Sequence, residues 1–239
     1  MRAAALLSTV MACAAANSRF PRPRAVLFDF DGSLADSEEA HRLRFSAATG
    51  ADCDAQRWMD ECVGHDSEWI VRHLTGASEA DPAILEDLEN RASSPEFFAA
   101  VRPTPGGLEL LAALREARTP CAVVSSGLRA YIEGCLAAWG ASVELIVAGD
   151  DAEPAAHKPD PAPYLYAAAR LKVDPRDCVA VEDSPAGIAS AVAAGCGVVA
   201  LRTPATANER GAALLARCRA VRDDLTDGAP FFGGEVVVP

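Results

Sequence analysis

Apolar positions along this chain follow two patterns that switch abruptly. The first is the short unbroken run Ala25-Val26-Leu27-Phe28, closed by Asp29, which predicts a buried strand. From Ser37 to about Arg102 the spacing is helical throughout. Segments near 37–49, 54–62, 66–75, 82–91 and 94–101 are separated by Gly50, Gly64, Gly76 and Pro95. Asp36 is placed to cap the first of these helices, with Glu39 three positions on as its partner in a capping box. Pro103-Thr104-Pro105-Gly106-Gly107 ends the helical block. Thereafter strands at 121–125, 145–148, 178–181 and 197–201 alternate with helices at 108–117, 128–139, 161–171, 185–194 and 208–217. Residues 220–221 and 223–225 predict an edge element.

Strands alternating with ten-residue helices imply an α/β fold, a parallel Rossmann-like sheet covered on both faces. A helical block set directly after the first strand is not how a simple doubly wound sheet continues, so it predicts an inserted α-helical domain. The expected division is a leader over 1–23, an α/β core from 24–36 and 104–225, a helical insert over 37–103, and a tail over 226–239. The tail is apolar from Phe231 onward, and the pattern assigns it no role. At 239 residues and 50% hydrophobic content, the chain can bury one good core and a modest second module.

Charge narrows the partners. A net charge of −12 and a pI near 4.8 argue against nucleic acid, which needs a basic face. No segment predicts a membrane span, and a monomer is expected, with a dimer as the alternative. The leader breaks the acidic trend: Arg2, Arg19, Arg22 and Arg24 occur with no acidic residue before Asp29. Its composition is rich in Ala and Ser, and the apolar part over 3–16 is too short to span a bilayer. That fits a transit peptide removed on entry to a plastid or mitochondrion; a secretory signal and an uncleaved cytoplasmic tail are the alternatives. The eight cysteines occur singly with no C-x-x-C pair, which predicts buried reduced thiols and not a disulfide framework or a zinc site.

Four stretches at predicted strand ends carry candidate chemistry. In Asp29-Phe30-Asp31-Gly32-Ser33-Leu34, strand alternation points Asp29 and Asp31 to one side and Phe30 to the other, and Gly32 permits a sharp turn. An isolated Asp-x-Asp is usually an acidic strand end, but here two carboxylates stand where open α/β sheets place their ligands. Ser125-Ser126-Gly127 ends a later strand; alone it is a common turn. Lys158, in His157-Lys158-Pro159-Asp160, would alone be a solvated charge. Glu182-Asp183-Ser184-Pro185-Ala186-Gly187 ends an apolar strand with two adjacent acids, which persist most readily beside a cation.

Taken together, these residues resemble the haloacid dehalogenase (HAD) superfamily of phosphoryl-transfer enzymes, with all four of its motifs in order between about Arg24 and Leu225. The continuation Ala35-Asp36-Ser37-Glu38-Glu39-Ala40-His41 is similar to the branch that holds beta-phosphoglucomutase and sugar-phosphate phosphatases. The resemblance implies that Asp29 attacks phosphorus, that Asp31 handles the proton and that Lys158 neutralises charge. It further implies that Ser125, Ser126 and Lys158 hold the phosphoryl oxygens. Mg²⁺ is the implied cofactor, held by the Asp29 and Asp183 carboxylates and the Asp31 carbonyl, with Glu182 one step removed. The helical insert is implied to be a cap, with His41 and Gly64 facing substrate. Ser67 stands where beta-phosphoglucomutase carries a phosphate-gripping arginine. The implied activity is a Mg²⁺-dependent phosphatase acting on a small phosphorylated metabolite such as a sugar phosphate. A phosphosugar mutase and a non-catalytic binding module are the alternatives.

Overall fold

The computed structural model describes residues 22–63, 65, 67–203, 206, 209–228 and 231. The leader over 1–21, Gly64 and most of the tail therefore lie outside the described residues. Among the described residues, the chain separates into two compact units, one within 22–35, 103–129 and 141–231, the other within 36–102 and 130–140.

The first unit is built on a six-stranded parallel sheet with strand order β5-β4-β1-β6-β7-β8. Its strands are β1 (Ala25–Phe28), β4 (Cys121–Val124), β5 (Leu145–Val147), β6 (Cys178–Glu182), β7 (Gly197–Leu201) and β8 (Ala220–Arg222). β1, β4 and β6 are buried along their whole length, as a sheet covered on both faces requires. Phe28 pairs with Val123 on one side and Val181 on the other, so the chain leaves β1, β4 and β6 at one common edge. Three helices of this unit have apolar faces that follow from their spacing: α6 (Gly107–Glu116), α8 (Ala162–Arg170) and α9 (Pro185–Ala193). Ala25, Leu27, Val124, Tyr164, Ala180 and Ile188 belong to one buried cluster in which α8 and α9 meet the sheet.

The second unit is helical. It holds α1 (Glu38–Thr49), α2 (Ala55–Arg57) continued as a π-helical turn over Trp58–Cys62, α3 (Ser67–Thr75), α4 (Pro82–Ala92) and α5 (Pro95–Ala100). Phe45, Trp58, Cys62, Ile70, Val71, Leu74 and Leu88 form its core. α7 (Arg129–Ala138), which the sequence pattern counts among the sheet's helices, groups with this unit from Ala130 onward. Trp139 supports that grouping by donating its indole N–H to the Val101 carbonyl at 3.0 Å.

Two further details depart from the sequence expectation. Asp36 does not cap α1: it lies in β2 (Ala35–Asp36), paired with β3 (Arg102–Pro103). Ser37 takes the cap position and makes no side-chain cap bond. A pairing partner more than sixty residues away thus outcompetes a local cap. Cys53, Cys62, Cys121, Cys135, Cys178, Cys196 and Cys218 are all unbridged. No helix among the described residues is long and apolar enough to cross a membrane.

Candidate functional site

Each acidic and hydroxyl group proposed from sequence in the sheet unit lies at or just past the carboxyl end of a strand. Asp29 follows β1, and its backbone N–H donates to the Val181 carbonyl at 2.9 Å, so the β6 ladder extends to it. The chain then turns tightly on itself. The Phe30 carbonyl accepts N–H bonds from Ser33, Leu34 and Ala35 at 3.2, 2.9 and 2.8 Å. Phe30 anchors this turn by being fully buried. Gly32 has φ +76°, and a Cβ there would collide with the Asp183 carboxylate. Glycine thus serves twice, for the left-handed backbone and for the close approach of an acid. Asp31 is half-buried in the same turn.

Lys158 organises the centre. Its ammonium donates to Asp29 Oδ1 at 2.6 Å, to Glu182 Oε1 at 2.6 Å and to the Val124 carbonyl at 2.8 Å. Those three bonds use every proton an ammonium has. Glu182 is wholly buried, with Oε1 also accepting the Tyr164 hydroxyl at 2.5 Å and Oε2 accepting Ser184 Oγ at 3.2 Å. Gly187 explains how a full carboxylate fits there, since a Cβ at that position would occupy the space of the Glu182 carboxylate. Asp183 accepts the Ser33 hydroxyl at 3.3 Å, and its backbone carbonyl accepts Thr203 Oγ at 3.0 Å. Ser125 is buried, and its hydroxyl oxygen accepts the Gly127 N–H at 2.9 Å, while Ser126 is exposed.

Acid outnumbers base here. Asp29, Glu182 and Asp183 can place one oxygen each within 4.8 Å of one another, with a single ammonium among them. Burial, then the Glu182 charge, push the Asp29 carboxyl up to about 7 against the pull of Lys158. Burial, then Asp29 and Glu182, raise Asp183 further, to about 9. Burial opposes the Lys158 charge, yet Asp29 and Glu182 outweigh it and hold the ammonium well above the usual lysine range. An all-oxygen donor set with surplus negative charge fits a hard divalent cation, which would offset the repulsion that keeps protons on these acids.

Other polar groups of the two units have local work. Asp151 forms a two-pronged pair with Arg129 at 2.9 and 2.7 Å, and the Arg129 guanidinium holds its carboxyl below the usual range. Asp150 accepts the Arg129 backbone N–H at 2.8 Å. His157 is exposed. In the helical unit, His41 packs against Phe97 and Tyr131, with ring centroids at 5.3 and 6.0 Å. It lines a cavity of about 190 Å³ with Glu38, Arg44, Trp58, His65 and Ser67. Gly64 lies outside the described residues.

Tyr164 and Ser190 were not legible as part of this arrangement. Tyr164 sits on an Ala-rich helical face and reads as core; its hydroxyl partner is Glu182, eighteen positions on. Ser190, on α9, is buried and donates to the Asp160 carbonyl at 2.6 Å, tying that helix to the Lys158 loop. The clue available for both was a polar atom at an otherwise apolar position.

The family model described as Haloacid dehalogenase-like hydrolase matches residues 26–201. Validoxylamine A 7'-phosphate phosphatase of Streptomyces hygroscopicus subsp. limoneus is 31% identical over 210 residues, covering 85% of this chain and 95% of the relative. Hexitol phosphatase A of Escherichia coli (strain K12) is 35% identical over 196 residues, covering 77% and 85%. Among solved structures, CbbY from Rhodobacter sphaeroides in complex with phosphate superposes with a TM-score of 0.67 at 27% identity, covering 86% of this chain and 96% of that one.

Proposed function

The chain belongs to the haloacid dehalogenase-like hydrolase family, and on that premise we propose that it is a Mg²⁺-dependent phosphatase hydrolysing a small phosphorylated metabolite, a sugar phosphate, through an aspartyl-phosphate on Asp29. The observation that carries the reading is the Lys158 ammonium shared between Asp29 and Glu182 at 2.6 Å each, inside a cluster that also holds Asp183.

Phosphoryl transfer depends on positioning and charge stabilisation more than on covalent chemistry by the protein. Asp29 is the nucleophile, which splits one hard step into two. Lys158 holds its carboxylate in place and meets the phosphoryl charge, and Ser125 and Ser126 orient the phosphoryl oxygens. Asp31 gives a proton to the leaving alkoxide and later takes one from the attacking water. Asp29, Asp183 and the Asp31 carbonyl would hold Mg²⁺, with Glu182 beside them. The bound ion supplies positive charge that offsets repulsion between phosphate and carboxylate. The helical unit is read as the cap, with His41 and Gly64 as its candidate substrate-selecting residues.

Phosphatase is favoured over mutase by the residue at the one position where the mutase resemblance expects an arginine. Position 67 holds Ser67. Arg72 donates to the Glu68 carbonyl of its own helix at 3.4 Å, and Arg91 pairs with Asp87 at 2.7 Å. Purified protein given a panel of sugar phosphates, beta-glucose 1-phosphate among them, is expected to release inorganic phosphate. EDTA should silence the reaction and Mg²⁺ restore it. Full turnover after exhaustive chelation would remove the metal, and glucose 6-phosphate formed faster than free phosphate would replace hydrolysis with isomerisation. The basic, acid-free leader supports import into a plastid or mitochondrion; protein from its native source should begin between Ala16 and Arg24 by mass spectrometry, and an intact Met1 start would count against it.

A further inference from the structure

We propose that Tyr164 is a positioning residue for this site: its buried hydroxyl holds Glu182 and so decides how Lys158 is divided between Glu182 and Asp29. The proposal rests on the phosphatase reading for its consequence, although the geometry behind it does not.

Tyr164 has no exposed surface and packs within the cluster that includes Leu27, Val124, Ala180 and Ile188. Packing alone would be served by phenylalanine. The hydroxyl is a different matter, because a buried phenol needs a partner, and this one donates to Glu182 Oε1 at 2.5 Å. Burial and the Glu182 charge both keep the phenol protonated, so it acts as a donor only. The same oxygen accepts Lys158 Nζ at 2.6 Å, and Nζ lies 5.3 Å from the centroid of the Tyr164 ring. One carboxylate oxygen therefore takes two donors, one neutral and one charged, from the two side chains on either side of it.

The competition has a direction. Lys158 spends one proton on Asp29 and one on Glu182, and the third is fixed on the Val124 carbonyl. With the phenol in place, part of the charge on Glu182 Oε1 is already met. Without it, a fully buried carboxylate would draw the ammonium more strongly and away from Asp29, since a buried charge that loses a donor must find compensation. Tyr164 never touches Asp29; it acts through Glu182 and Lys158. Its removal should weaken the turnover step while leaving substrate capture unchanged.

The experiment is a double-mutant cycle of Tyr164→Phe and Glu182→Gln in the full chain, followed by steady-state hydrolysis of an aryl phosphate with Mg²⁺. Tyr164→Phe keeps the ring and its packing. It should lower kcat about tenfold, the scale of one charge-assisted hydrogen bond, with KM within about twofold of wild type. In the Glu182→Gln background the same change should cost less than about twofold, because the carboxylate charge through which Tyr164 acts on Lys158 is gone. Losses that multiply, or a rise in KM with kcat unchanged, would overturn the proposal. A second readout needs no variant of Tyr164. Wild-type protein carrying ¹³Cζ-tyrosine should show one slowly exchanging phenol proton by NMR, and Glu182→Gln should remove or shift it. Absence of that proton in wild type would refute the arrangement. Wild type with the proton but no hydrolysis would instead sink the phosphatase reading.

Discussion

At the scale of single residues, the site is a contest between like charges settled by one cation. Asp29, Glu182 and Asp183 crowd within 4.8 Å, and among the described residues Lys158 is the cation that pairs with Asp29 and Glu182. Asp29→Asn keeps the shape of the side chain and removes both its charge and the carboxylate oxygen proposed to attack phosphorus. Turnover should fall below detection while the melting temperature holds or rises, because one of three repelling acids is gone. The check is phosphate release and thermal melting on the same preparation; substantial residual hydrolysis would show that another group attacks phosphorus.

At the scale of elements, the strand ends are held by short connections whose details are less tolerant than their length suggests. α9 starts at Pro185, behind Ser184, whose hydroxyl accepts the Gly187 N–H at 3.0 Å and donates to Glu182. Gly187→Ala would push a methyl group into the Glu182 carboxylate. The expected cost is about 1–3 kcal/mol of stability, typical of overpacking, with at least a tenfold loss of kcat because Glu182 moves with Lys158. Chemical denaturation and kinetics measured together would test this; a variant as active as wild type would mean that Glu182 can shift without consequence. The elements themselves were legible because β1 and β4 are apolar from end to end, β6 is apolar up to Glu182, and no helical spacing competes there. Asp36 was misplaced because its strand partner lies across the whole helical insert, and local capping rules carry no information at that range. The grouping of α7 with the helical unit was hidden for the same reason: a period of 3.6 shows which face is apolar, not which layer it meets. Asp29, Lys158 and Asp183 were legible from chain order and residue type. Tyr164 was not, since the pattern cannot tell a phenol from a phenyl ring.

For the molecule as a whole, proton binding and metal binding should be linked through the same acids. Burial and mutual repulsion raise Asp29 and Asp183 from 3.8 to about 7 and about 9. Between those limits the folded protein binds more protons than the unfolded chain, so the free energy of unfolding falls as pH rises. Without divalent cations, the melting temperature should therefore drop from pH 5 to pH 9. Mg²⁺ held as proposed would bind the deprotonated acids, so it should stabilise little at pH 5 and most near pH 9, flattening the profile. Thermal melts over this range with EDTA or Mg²⁺ measure it directly. A Mg²⁺ effect equal at both ends would place the ion elsewhere. General repulsion from the net negative charge is small at pH 5, close to the pI of about 4.8, and grows toward the −12 of pH 7; monovalent salt should screen it, whereas a site-specific Mg²⁺ effect should survive that salt.

The turn after β1, where the Phe30 carbonyl gathers the amides of Ser33, Leu34 and Ala35, has a consequence in isotope exchange. Loops ordinarily give up their amide protons to deuterium within seconds, because local opening costs little there. These three amides share one acceptor anchored by a buried ring, so none can be released without lifting Phe30 from the core. In deuterated buffer they should persist alongside the amides of β1 and β6, far longer than those of the exposed stretch around Glu153. The segment that follows Asp29 would then behave, on the exchange clock, as part of the sheet.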